Sequence, residues 1–374
     1  MAQKTTISGM QMGLLLFPVI VATADLIVPT ITTKYAGRDM WLSPICASIV
    51  GFLTVYLIFK LHEFYPRQTI IQYSSHIVGA IPGKIVAFII WYDILYTNGN
   101  ILRLYGEFIV GSFLFKTPLV VVMASILLLC AFTIRAGLEV LARAAQILVP
   151  LLFLFYMVVV LLMIPFMKTE NFFPVLEHGF IPVLRGAITP QGWFSEVILF
   201  SFLAPFLSSQ TKGMKAGFVT VIFAVMALFS LNLSALLILG GEVGVMTYPF
   251  YTAIQMISYA DFFENFDAVV IAIWVAGAFV KMSMFYYSLS LGTAQLMGID
   301  DYRPLVFPLG LLLILLSFWT APDMSTLSGN IAKTAGFQTS LIFSFLPLLL
   351  YIVAQLRMKH RSKKGNACAA DLKK

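Results

Sequence analysis

Apolar residues run along this chain in long blocks rather than in short alternating or amphipathic patterns, and the blocks match the roughly 20 residues that a helix needs to cross a bilayer. Charges, glycines and prolines delimit ten of them, at approximately 9–33, 40–61, 84–114, 118–135, 141–166, 191–210, 214–240, 265–297, 304–321 and 336–357. The pattern predicts an all-α polytopic membrane protein. The spans fall into two sets of five, within 1–166 and 191–357, with an outer loop at 167–190 and a basic tail at 358–374. In each set the second and third spans are joined by an amphipathic stretch, HEFYPRQTIIQYSSHIVGAIPGK and GEVGVMTYPFYTAIQMISYADFFEN, suited to a helix lying on a membrane face. An odd number of spans per set makes the second set enter the bilayer from the opposite side. The expected architecture is therefore a five-plus-five inverted repeat, an arrangement common among secondary transporters.

In such repeats the opening helix is usually interrupted at mid-depth, where freed backbone groups face a cavity instead of lipid. The first span reads LLLFPVIVATADLIVPT, with Pro18 and Pro29 around VIVATAD; the sixth reads FSEVILFSFLAPFLSSQ, with Pro205 past its middle and Ser201 four residues earlier. Each proline removes a backbone donor and disfavours helix in the residue before it. Broken first and sixth helices are expected, the alternative being ordinary proline kinks.

Composition points to the same solvent. Of 374 residues, 60% are hydrophobic and 11% charged, against about 25% charged in a soluble domain. The three cysteines, Cys46, Cys130 and Cys368, offer neither a disulfide framework nor a cysteine metal site. The net charge of +7 is unevenly placed, with seven of the 24 Lys and Arg residues in Arg357–Lys374, which reads as a cytoplasmic anchor rather than a nucleic-acid surface. With both termini inside, 16 cations fall on inner segments and six on outer ones, while Arg103 and Lys281 lie within spans. That excess favours cytoplasmic termini. The N-terminal MAQKTTISGMQ has no small-residue cleavage site and leads straight into the first span, so no removable signal is expected. His62, His76, His178 and His360 are scattered, and zincin, nucleophile-elbow, P-loop and Rossmann signatures are missing, which argues against an enzyme and calls for no cofactor.

An ionisable side chain at mid-depth costs about 2.5–3.5 kcal/mol on insertion scales, so each one needs a partner, a wet cavity or a role. Candidates are Asp25, Asp93, Arg103, Glu107, Glu196 and Lys281. Arg103 and Glu107, four apart on one helix, suit a structural pair. Asp93, about nine residues into the third span, and Lys281, about sixteen into the eighth, fall at similar depth and suit a buried ion pair. Asp25 and Glu196 lie closer to the outer face, in a hydrated vestibule or as a proton relay. Around Asp93, the residues Trp91, Tyr92, Tyr96, Asn98 and Asn100 are too polar for a lipid-exposed surface. They face a cavity or hydrogen-bond to neighbouring helices.

Three stretches, YPRQTIIQYSSHIVGAIPGK, RAGLEVLARAAQILVP and DFFENFDAVVIAIWVAGAFVK, resemble the B subunits of the nutrient germinant receptors of endospore-forming bacteria, also called spore germination permeases, and the likeness spans essentially the whole chain. That family is similar to the amino acid, polyamine and organocation transporter superfamily, whose fold is the five-plus-five arrangement. The resemblance implies a subunit that binds a small nutrient, an amino acid or a sugar, and triggers germination from the spore inner membrane together with an A subunit and a lipoprotein C subunit. The chain departs from the pattern twice: no glycine lies within Val21–Ala24, and Asn265 rather than arginine follows Glu264.

The ligand is then expected midway across the bilayer, between the first and sixth helices and the third, eighth and tenth. Ala22, Thr23 and Ala24 would line it from the first helix and Phe200, Ser201 and Ala204 from the sixth, with Tyr96 on one wall and Ser283 and Phe343 opposite. Two other functions remain open: an ion-coupled amino acid transporter using the same pocket, and a structural or channel subunit whose pocket holds no nutrient.

Overall fold

The computed structural model describes residues 6–256 and 266–371, with side chains for 6–256 and 268–358. In chain order the main elements are α1 (Gly9–Ala36), α2 (Ser43–Phe64), α3 (Ile70–Val78), α4 (Ala80–Ser112), α5 (Leu119–Ala136) and α6 (Leu138–Met163). There follow α7 (Ile181–Ala187), α8 (Pro190–Ser195), α9 (Phe200–Leu203), α10 (Gln210–Leu239), α11 (Pro249–Gln255), α12 (Phe266–Met297), α13 (Val306–Thr320), α14 (Met324–Asn330), α15 (Gly336–Ser340) and α16 (Leu346–Asp371).

Eight stretches among the described residues are long and apolar enough to cross a membrane, against ten expected. The first, Gly9–Phe64, contains both α1 and α2 around a tight 3-10 corner at Gly37–Leu42, and the sixth expected span is cut into pieces too short to qualify. The most apolar stretch, Leu138–Phe166, is also the least buried, and α6 turns Ile147, Leu151, Leu154 and Leu161 outward. A fold built for water would hide that helix first; here lipid is its solvent. The chain is a multi-pass, all-helical membrane protein.

Helix α1 runs through the centre, with 20 of its 28 residues buried, and packs against α10, α12, α6 and α7. Its start is set by a capping box in which the Ser8 hydroxyl accepts from the Gln11 amide at 3.1 Å while Gln11 Oε1 accepts from the Ser8 amide at 2.8 Å. Just before it, Ile7 pairs with the exit of the sixth segment: the Ile7 amide donates to Phe206 O at 2.9 Å and the Ser208 amide to Ile7 O at 3.0 Å.

The expected break in the first helix does not occur. Pro18 and Pro29 lie inside a continuous α1. Each proline costs one ladder bond, but protein packs around most of the helix, and threonine hydroxyls after Pro29 add bonds that hold its last turns. Thr32 Oγ1 donates to Val28 O at 2.8 Å, Thr33 Oγ1 to Pro29 O at 2.6 Å, and Thr30 Oγ1 reaches Met246 O at 2.8 Å. The sixth segment is broken as expected, and more thoroughly. Helices α7, α8 and α9 are separated by a turn at 188–189 and a 3-10 turn at Glu196–Leu199, and a second 3-10 turn, Ala204–Phe206, contains Pro205. Its outer part begins at Ile181, within what reads as an outer loop from sequence.

The first amphipathic connection forms α3, seated on α4. The second forms a 3-10 turn at Gly240–Val245 and then α11. Its remainder, with Glu264 and Asn265, lies outside the described residues, as do Lys4 and the end of the basic tail. The last span is bulged by π turns at Ile331–Ala335 and Leu341–Phe345.

Between those bulges the span meets the sixth segment backbone to backbone. A Cβ on Gly336 would stand 2.6 Å from Thr189 O and 2.7 Å from Thr189 Cα, neither of which can swing aside. Gly336→Ala should therefore lower the thermal unfolding temperature of the purified protein, corresponding to about 1–3 kcal/mol of overpacking. Gly111→Ala, where nothing lies within 4 Å, should leave it unchanged or slightly raised.

Candidate functional site

The sixth segment is irregular where it crosses the middle of α1, and one side chain from α12 reaches into that crossing. Lys281 has no solvent exposure. Its Nζ donates to Glu196 Oε2 at 2.7 Å and to the backbone carbonyl of Val19. A single ammonium thus joins α12, the 3-10 turn of the sixth segment and the centre of α1. In a medium with little water, an ion pair of this kind is strong only while both members are present. Asp25, two turns from Val19 on α1, lies in the electrostatic field of the same ammonium.

Lys281 therefore does not pair with Asp93, as depth along the spans suggests. Asp93 is fully buried, but its Oδ1 accepts from Gln338 Nε2 at 2.8 Å, and Oδ2 has no partner among the described residues. The reason is the early start of the sixth segment. Glu196 follows Ile181 by 15 residues, which carries it well into the bundle, and it is buried rather than in a hydrated vestibule. The Arg103–Glu107 pair forms as its spacing predicts, at 2.6 Å, and Arg103 also donates to Pro322 O at 2.7 Å, tying α4 to the turn after α13.

Beside the Lys281–Glu196 pair is a cavity of about 50 Å³. Its polar lining is Thr23 of α1, Thr97 and Asn100 of α4, Trp193 and Glu196 of the sixth segment, and Thr339 of α15. Gly192 and Gly336 leave it room, while Ile101 and Leu104 add an apolar side. The Trp193 indole donates to Thr23 Oγ1 at 3.0 Å and so fixes one wall. Glu196 spends Oε2 on Lys281, and its Oε1 accepts no hydrogen bond from the described residues. This set of a carboxylate, hydroxyls and an amide suits recognition of a small polar solute.

Of the residues expected to line a pocket, Thr23 lines this one and Ala22 a separate cavity. Ala24, Phe200, Ser201, Ala204, Ser283 and Phe343 are buried but line neither cavity. Phe200 packs against Phe59 with ring centroids 5.7 Å apart, and Ser201 Oγ is buried with no hydrogen-bond partner among the described residues. Tyr96 is half-buried and stacked on Tyr92, with centroids 6.5 Å apart. The lining of α4 comes from Thr97, Asn100, Ile101 and Leu104, one helix face at i, i+3, i+4 and i+7. That spacing is legible in the sequence, and choosing Tyr96 misses the face by one position.

A central buried helix, a broken crossing partner and a cavity between them with a few polar groups in its lining define a transporter-like membrane fold. The fold is similar to that of Mhp1, a nucleobase-cation-symport-1 family transporter solved in a closed conformation with bromovinylhydantoin bound, at a TM-score of 0.69 and 10% identity over 94% of this chain and 92% of that one. It is likewise similar to MhsT in complex with L-phenylalanine, at a TM-score of 0.66 and 11% identity, covering 95% and 99%. Residues 6–325 match the family model described as Spore germination protein, and the chain belongs to that family. Its relatives include spore germination protein KB of Bacillus subtilis (strain 168), 27% identical over 96% of this chain and 98% of that protein. Spore germination protein YndE of the same organism is 24% identical over 94% and 97%, and spore germination protein XB of Bacillus anthracis is 24% identical over 69% and 72%.

Lys281→Met should destabilise the protein by roughly 3–5 kcal/mol, because it strands Glu196 in the interior. Adding Glu196→Gln should restore part of that loss, whereas adding Asp93→Asn should not. Thermal unfolding of the single and double variants in one detergent measures the difference.

Proposed function

We propose that this chain is the nutrient-binding subunit of a germinant receptor, holding a small nutrient, an amino acid or a sugar, in the cavity between α1, α4, the sixth segment and the last span. It signals germination from the spore inner membrane in company with an A subunit and a lipoprotein C subunit, both its termini lying on the cytoplasmic side. The observation that carries the reading is Glu196. One carboxylate oxygen is anchored by a buried ammonium, the other accepts no hydrogen bond from the described residues, and the residue lines a cavity whose other polar side chains are neutral. An ammonium or hydroxyl group on the solute would donate to that oxygen, and the threonine hydroxyls and the Asn100 amide would take its other polar groups. The fold likeness to transporters solved with small solutes bound supports a ligand of that size.

A thermal-shift screen of the purified chain against amino acids and sugars tests this. A solute that binds only the folded protein adds about 2.7 kcal/mol at a concentration 100 times its Kd. We expect at least one to raise the unfolding temperature, and Glu196→Gln or Thr339→Trp to abolish the shift. No shift with any solute, or a shift that survives Thr339→Trp, would contradict the reading. Uptake by proteoliposomes holding this chain alone separates sensing from transport: binding without flux is expected of a receptor subunit, and ion-driven accumulation would make the chain a transporter instead.

A further inference from the structure

A second cavity, of about 80 Å³, lies against a different face of α1, formed by Pro18, Val21, Ala22 and Asp25 at i, i+3, i+4 and i+7 and closed by α4, α6, α11 and α12. Among the described residues its walls are apolar and aromatic apart from Asp25, the one carboxylate lining it. Asp25 Oδ1 accepts from the Trp274 indole at 3.2 Å, and the backbone amides of Asp25 and Leu26 also bear on its carboxyl group. Trp274 is held rigid: it stacks on Tyr105 at 5.8 Å and 11° and meets Phe108 edge-on at 4.7 Å. The Tyr156 hydroxyl is spent on Ala227 O at 3.0 Å and on Ser230 Oγ at 2.7 Å.

Charge decides what such a space can take. Lys281 gives its hydrogen bonds to Glu196 and Val19, so Asp25 feels that ammonium without being paired to it. A carboxylate enclosed by protein and lipid with no ion-pair partner either holds a proton or takes up a cation, and a cation that fits the cavity competes with the proton. A small metal ion needs six or more oxygen ligands or a retained water shell, and walls of Phe108, Tyr156, Tyr251 and Trp274 supply neither. Aromatic faces do attract organic ammonium groups, most strongly when the charge is desolvated.

We infer that this cavity is a second ligand site, separate from the central one, for a small organic cation: an alkyl or aryl ammonium whose charge rests on Asp25 and whose apolar body lies among the aromatic side chains. The same chemistry is offered by a free amine and by an amine-bearing lipid headgroup.

The test uses the whole chain in nanodiscs of phosphatidylglycerol, which carries no amine, titrated by calorimetry with phenethylammonium and with its neutral analogue 2-phenylethanol. Phenethylammonium should bind at least tenfold more tightly than the alcohol, and Asp25→Asn should remove that preference. Equal binding of the amine and the alcohol, or no binding of either, overturns the proposal, and it does so on the natural sequence even where the variant fails to fold. A preference kept in Asp25→Asn assigns the amine to another site and equally overturns it. Repeating the titration in phosphatidylethanolamine nanodiscs identifies the source. Competition there points to a headgroup and undiminished binding to a free amine, and either result supports the site.

Discussion

One buried ammonium holds the centre of this protein together. Lys281 bonds at once to a carboxylate in an irregular turn and to a backbone carbonyl of the innermost helix, so three elements converge on a point with no solvent. Helix packing within lipid lacks the hydrophobic drive that organises soluble cores, and it relies on close contacts and buried polar bonds instead. Both occur here side by side: the Lys281 bonds, and the glycine-mediated crossing of Gly192 and Gly336. The central cavity lies between them, and its one free carboxylate oxygen exists because the other is tied to Lys281.

Helix α1 has a distinct role in this design. The expected way to present binding groups from a central helix is to unwind it, yet α1 stays helical through both prolines. The irregular backbone is concentrated in the sixth segment and in the π turns of the last span. Side chains, not bare backbone amides, then line the cavity from α1, with Thr23 toward one hollow and Ala22 and Asp25 toward another. A membrane protein of the spore germination family thus has a transporter-like fold with an unbroken central helix.

Much of this is legible in the sequence, and the misses have physical causes. Block length and composition reveal the membrane, the paired amphipathic connections mark α3 and α11, and the four-residue spacing of Arg103 and Glu107 anticipates their bond. The ion pair of Lys281 goes astray because depth is counted from the apolar block. The sixth segment starts earlier, in KTENFFPVLEHGFIPVLRGAITP, where Arg185 and several polar residues hide a helix from any hydropathy reading. Of the residues expected from position along α1 and the sixth segment, Ala24, Phe200, Ser201 and Ala204 line neither described cavity, since one residue of helix is a rotation of about 100°. The polar face of α4 shows the remedy, because its i, i+3, i+4, i+7 pattern selects Asn100 and passes over Tyr96.

The most direct measurement is a cryo-electron microscopy map of the chain with its stabilising solute, at a resolution that separates side chains. Density for the solute should appear among Thr23, Asn100, Trp193 and Glu196, with α1 unbroken and the Lys281 ammonium between Val19 and Glu196. A map with Lys281 turned to Asp93, or with the solute elsewhere and this hollow filled by side chains, would contradict it.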